Sequence, residues 1–138
     1  MSGKLKLKSY SNGELILNEE YQGKAERKGR YLRYEYKDES GNDTHMVVCF
    51  DDAGLYRLDS GGERTLEIRC QDGKGKAVLG IGAHFLEGAV ASFRSSIAVK
   101  DGGVYRTEIV YMLYFEKGHG TKTRLIIEAT DEKSNNGQ

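Results

Sequence analysis

Val104-Tyr105-Arg106-Thr107-Glu108-Ile109-Val110-Tyr111-Met112-Leu113-Tyr114-Phe115-Glu116 alternates with a period of two from end to end. Tyr105, Thr107, Ile109, Tyr111, Leu113 and Phe115 share one face, the signature of a strand with a buried side. Val110, Met112 and Tyr114 make much of the opposite face apolar too. The run far exceeds the usual strand of about five or six residues. Long, coiled strands are what a tilted barrel requires.

The same rhythm recurs between Lys4 and Thr130. A short first strand carries Leu5 and Leu7. Further runs follow at Glu14–Arg27, Arg30–Lys37, Asp43–Phe50, Leu55–Asp59, Arg64–Cys70, Lys74–Ile81, Ala91–Val99 and Thr121–Thr130. In the second of these, Leu15, Leu17 and Tyr21 are expected on one face. The breaks are made by glycine, of which there are 18, and never by proline. Turns are read at Ser11-Asn12-Gly13, Lys28-Gly29, Ser40-Gly41-Asn42, Asp51-Asp52-Ala53-Gly54, Ser60-Gly61-Gly62, Asp72-Gly73, Asp101-Gly102-Gly103 and Gly118-His119-Gly120.

Gly82–Ser92 breaks the pattern. Phe85, Leu86, Ala89, Val90 and Phe93 fit a helical turn, yet Gly82 and Gly88 each weaken a helix by about 1 kcal/mol. An irregular connection is expected there. Short turns throughout favour an up-and-down meander over the long crossovers of a Greek key. The fold class is therefore all-β: an antiparallel, closed up-and-down barrel of about eight to ten strands with at most one short helix. It occupies residues 1–130 as a single domain, and a polar tail follows at 131–138.

A chain of 138 residues suits one core. Lys+Arg and Asp+Glu number 21 each, so the formal charge is zero. No net field draws nucleic acid or an anionic membrane, and neither is expected as a partner. No stretch is apolar enough for a signal peptide or a membrane-spanning helix. Cys49 and Cys70 are too few for a disulfide framework, and a cytoplasmic location is the simplest expectation. Lys4, Lys6 and Lys8 read as the solvated face of an edge strand.

Motifs for chemistry are lacking. His45 and Cys49 share a strand face but stand about 13 Å apart, too far to ligate one ion. No Cys-x-x-Cys or His-Glu-x-x-His occurs, and Ser60, Ser95 and Ser96 lie in no nucleophile elbow. Gly73-Lys74-Gly75-Lys76 and Gly80-Ile81-Gly82 precede no helix that would give a phosphate site. No catalytic residue, metal or cofactor is indicated.

What remains is the tyrosine-rich inner face. Tyr34, Tyr36 and Tyr111 share parity with aliphatic neighbours. They either plug the core or line a cavity for a small-molecule ligand. Arg57 would anchor a ligand carboxylate or phosphate if it points inward, and is half of a cross-strand ion pair if it points outward. Val110, Met112 and Tyr114 form an outer patch that a second copy could cover, giving a homodimer. A binder of a small ligand in the barrel is the first reading, and an interaction module acting through that patch is the second.

Several short segments resemble one family: Asn12-Gly13-Glu14, Gly29-Arg30-Tyr31-Leu32-Arg33-Tyr34-Glu35, Thr44-His45-Met46-Val47-Val48, Arg57 followed by Ser60-Gly61, and Tyr111-Met112-Leu113 ahead of Arg124–Glu128. Together the chain resembles the YwiB-like family of small, uncharacterised bacterial proteins over nearly its whole length. The resemblance implies a lipocalin-like, or calycin, barrel and a cytosolic bacterial protein, and it carries over no catalytic residues. The chain departs from the family at Ala77–Gly82, where a tyrosine–threonine–glycine segment is usual. It also lacks tryptophan, and with it the Gly-x-Trp signature of true lipocalins.

Overall fold

The computed structural model describes residues 3–50, 54–61, 63–100, 104–116 and 118–131. Ten strands follow one another: β1 (Gly3–Ser11), β2 (Glu14–Lys28), β3 (Tyr31–Lys37), β4 (Asp43–Cys49), β5 (Leu55–Ser60), β6 (Arg64–Gln71), β7 (Lys74–Ile81), β8 (His84–Lys100), β9 (Val104–Glu116) and β10 (His119–Asp131). Each pairs antiparallel with its sequence neighbours and β1 closes on β10, giving the expected up-and-down barrel. Among the described residues there is no helix, and so none long and apolar enough to cross a membrane. The turns expected at Asp51-Asp52-Ala53 and Asp101-Gly102-Gly103, the residue Gly62, and residues 132–138 of the tail lie outside the described residues.

Asn12-Gly13 and Asp72-Gly73 show why the hairpins are tight. Both residues of each pair have positive φ, 50° and 84° in the first and 56° and 81° in the second. That is the backbone of a type I′ turn, whose twist matches the strands it joins.

The register corrects three expectations. β1 is no edge strand, because it pairs with both β2 and β10; its lysines simply face outward, and Lys4 meets Glu20 at 3.8 Å. A bulge between Ser9 and Tyr10 shifts the β1–β2 register, so Leu15 stands opposite Tyr10 and is exposed. Most of Gly82–Ser92 is regular: over His84–Val90, β7 and β8 form a continuous hairpin, with Ile81 opposite His84 and Gly75 opposite Val90. The helical spacing arose because the strand is apolar on its outer side too: Phe85 points out and is 74% exposed. Gly88 is a packing device, for a β-carbon there would come within 2.9 Å of the Phe115 ring.

The real irregularity lies further along β8. Its register against β9 shifts between Ala91 and Arg94, and Ser92 takes a positive φ of 55°. This bulge lets Phe93 N–H donate to the Gly73 carbonyl at 3.0 Å, clipping the β6–β7 turn to β8. It also turns Phe93 inward, where its ring stacks on Tyr111 with centroids 6.0 Å apart.

Side chains fill the lumen. Leu5, Leu32, Ile68, Ile109 and Ile127 are almost wholly buried. Tyr34 reaches from β3 toward the far wall, where its hydroxyl lies 2.6 Å from Thr107 Oγ1 on β9. The Tyr56 hydroxyl donates to Met46 Sδ at 3.8 Å, and Tyr111 is hydrogen-bonded to Thr123. Each of these buried phenols therefore has a partner, as burial demands.

Burial pushes the phenol pKa of Tyr34, Tyr56 and Tyr111 above the ordinary 10.0. A pKa raised on folding gives stability that is full below pH 10 and declines as pH climbs toward the folded values. An absorbance titration should leave these three phenols protonated past pH 10 and ionise them together as the barrel unfolds. Smooth ionisation of all nine tyrosines near pH 10, with the fold intact, would contradict this packing.

Candidate functional site

The β1–β2, β3–β4, β5–β6, β7–β8 and β9–β10 turns share one end of the barrel, and the polar groups gather there. The rim is tied together through backbone: Gly61 N–H donates to the Asp43 carbonyl and Gly82 N–H to the Glu63 carbonyl, both at 2.8 Å. Asp38 organises the β3–β4 turn. Its Oδ1 accepts from Ser40 N–H and Asn42 N–H, each at 2.9 Å, and its Oδ2 from the Ser60 hydroxyl at 3.1 Å. Ser60 Oγ also lies 3.3 Å from Thr44 Oγ1. The Asn42 N–H above all, helped by Ser60, Ser40 and the Asn42 side chain, holds the Asp38 carboxyl below its ordinary 3.8 against a smaller desolvation effect.

Inside this rim opens a cleft of about 390 Å³. Its apolar surface comes from Leu58, Leu66 and Leu79, which the strand alternation turns inward, and from Tyr36. Tyr21 stacks on Tyr36 with ring centroids 4.7 Å apart and planes inclined by 26°, so Tyr36 is braced as a wall. Burial, then the Tyr21 phenol and the Asp38 carboxylate, raises the Tyr36 pKa, and its hydroxyl stays a donor at neutral pH. Arg64 lines the same cleft. Arg33, Arg57, Arg69, Arg106 and Arg124 each lie within 4.0 Å of a glutamate, whereas Arg64 has no ion pair among the described residues.

Of the four residues expected to line a ligand cavity, Tyr36 alone belongs to the cleft. Tyr34 is the strut across the middle of the lumen, and Tyr111 packs with Phe93 toward the opposite end. Arg57 is turned outward: β5 sets it beside Val47 and Glu67 on the outer wall, and its Nη2 contacts Glu67 Oε2 at 3.4 Å. The inward residues of β5 are Tyr56 and Leu58, so Arg57 cannot anchor anything in the lumen. Val110, Met112 and Tyr114 stand on the outer wall of β9, opposite Arg124, Lys122 and Gly120 of β10. No group of three or more His, Cys, Asp or Glu side chains able to hold a metal occurs among the described residues, and Cys49 and Cys70 are not joined in a disulfide.

Asp38, Ser60 and Arg64 are the rim residues that periodicity alone passes over. Two signals point to them. Asp38-Glu39-Ser40 is an Asx-turn sequence, and Arg64 shares the parity of Leu66, Ile68 and Cys70.

These features define a class: a small, closed meander barrel with a plugged lumen and a polar cleft at one mouth. No family model and no curated protein matches the chain. A solved structure does. The crystal structure of the ywiB protein from Bacillus subtilis is 18% identical, covers 94% of each chain and superposes with a TM-score of 0.59. At that identity the likeness establishes a shared fold.

Proposed function

We propose that this is a lipocalin-like, calycin-type barrel that binds a small molecule without transforming it, in the cytoplasm, using the rim cleft instead of the lumen. The supporting observation is a pre-organised polar rim standing over apolar side chains, directly above a filled interior. Ligand sites are concave, mostly apolar and fitted with few, well-fixed polar groups. Catalysis is disfavoured by the chemistry of the hydroxyl–carboxylate pair at the rim, Ser60 and Asp38. Asp38, held below its usual pKa by its hydrogen-bond donors, is a poor base for activating Ser60 at neutral pH.

Native mass spectrometry of gently purified protein, and thermal melts against a panel of small metabolites, test this reading. A ligand at a hundredfold excess over its Kd should stabilise the fold by roughly 2.7 kcal/mol. Leu79→Trp, which fills the cleft, should abolish that shift. An equal shift in the variant, or no retained mass and no shift with any compound, would overturn the proposal. A homodimer through Val110, Met112 and Tyr114 is the weaker reading: Val110 is only 8% exposed, and Arg94 and Arg124 flank it in register.

A further inference from the structure

We propose that the rim cleft selects a zwitterion, namely a free α-amino acid with an apolar side chain. The inference rests on the cleft being the ligand site. Asp38 accepts from the Ser40 and Asn42 N–H groups, the Ser60 hydroxyl and the Asn42 side chain, and so is fixed at the cleft as a carboxylate. Both N–H bonds fall on Oδ1, so a ligand ammonium would approach Oδ2, next to the Ser60 hydroxyl, in competition with the Asn42 side chain. These donors keep Asp38 ionised, which suits it to receive an ammonium group.

Arg64 supplies the complementary half. It lines the cleft with no glutamate or aspartate paired to it among the described residues, and a guanidinium fork matches a carboxylate in two-point geometry. Asp38, Glu63 and Arg64 give the cleft two negative charges and one positive. A dianion meets repulsion there. A simple amine leaves Arg64 unanswered, and a simple carboxylate leaves Asp38 unanswered. A molecule carrying one charge of each sign answers both. Leu58, Leu66, Leu79 and the Tyr36 ring then offer apolar cover to a side chain of leucine or phenylalanine size.

Calorimetric titration of the intact protein with L-leucine, isocaproate and isoamylamine separates the possibilities, since the last two each lack one of the charged groups. Leucine should bind at least about tenfold more tightly than either, the factor expected for one lost charge-assisted hydrogen bond. Arg64→Gln, on an exposed rim position, should weaken leucine and isocaproate alike and leave isoamylamine unchanged. Asp38→Asn should weaken leucine and isoamylamine and spare isocaproate. Isocaproate binding as tightly as leucine would overturn the zwitterion proposal while leaving a small-molecule site at the rim. The absence of heat from leucine and phenylalanine, with a different ligand retained in native mass spectrometry, would overturn it in the same way. Absence of binding by every compound tested, with nothing retained, would overturn the rim site as well.

Discussion

Gly75→Ala is expected to destabilise the barrel by roughly 3 kcal/mol or more, among the larger effects a single methyl group produces. Gly75 does not adopt a left-handed φ, so the obstacle is space. A β-carbon would fall 1.9 Å from the Arg69 carbonyl oxygen, 2.7 Å from Cys70 Cα and 2.8 Å from Arg69 C. All three are main-chain atoms with no rotamer to yield. Gly75 also lies opposite Cys70 on β6 and Val90 on β8, so relief must move a three-strand contact. That movement would pull the Asp72-Gly73 turn from its bond to Phe93. Gly13→Ala is the control, with a positive φ but nothing within 4 Å, and should cost about 1–2 kcal/mol. Urea unfolding of the two variants compares them. A loss below about 1 kcal/mol for Gly75→Ala would mean that β6 and β7 are further apart than described.

Tyr34→Ala should cost about 3–5 kcal/mol, the range for removing a large buried ring. The instructive comparison lies in smaller changes. Tyr34→Phe keeps the ring and strips only the hydroxyl, leaving Thr107 Oγ1 buried without its partner at a cost of about 1–3 kcal/mol. Thr107→Val does the converse to Tyr34. Replacing both removes the two polar groups together, and the double variant should be markedly more stable than the sum of the single losses predicts. Strict additivity in chemical denaturation would show that the 2.6 Å contact does not bind the opposite walls.

The barrel was legible because its information is periodic. Alternation in β3 and β9 put Tyr34, Thr107, Ile109 and Tyr111 on the inner face, and paired turn residues such as Asn12-Gly13 announced the hairpins. Where both parities were apolar, the reading lost its footing. Leu55-Tyr56-Arg57-Leu58 offers apolar residues on either phase, so only pairing with β4 and β6 reveals that Tyr56 and Leu58 face inward and Arg57 outward. Phe85 misled for the same reason, as an apolar residue on a solvent-facing wall imitates a helical stripe. The cleft was harder still. Its polar members come from turns and strand ends on β3, β4, β5 and β6, far apart in sequence and joined only by barrel curvature. Tyr36 could be proposed from parity, whereas its companions Asp38 and Ser60 acquire meaning only through hydrogen bonds that no local pattern encodes.

The strut between Tyr34 and Thr107 sets a floor, and a floor governs exchange kinetics. A ligand held at the proposed rim site would rest above that floor, near the mouth of the barrel, and would leave without crossing the packed lumen. Residence would be brief, and occupancy would follow the surrounding concentration almost instantaneously. On the proposed reading, a binder of that kind would suit gauging abundance, where a hollow carrier would suit storage and transport.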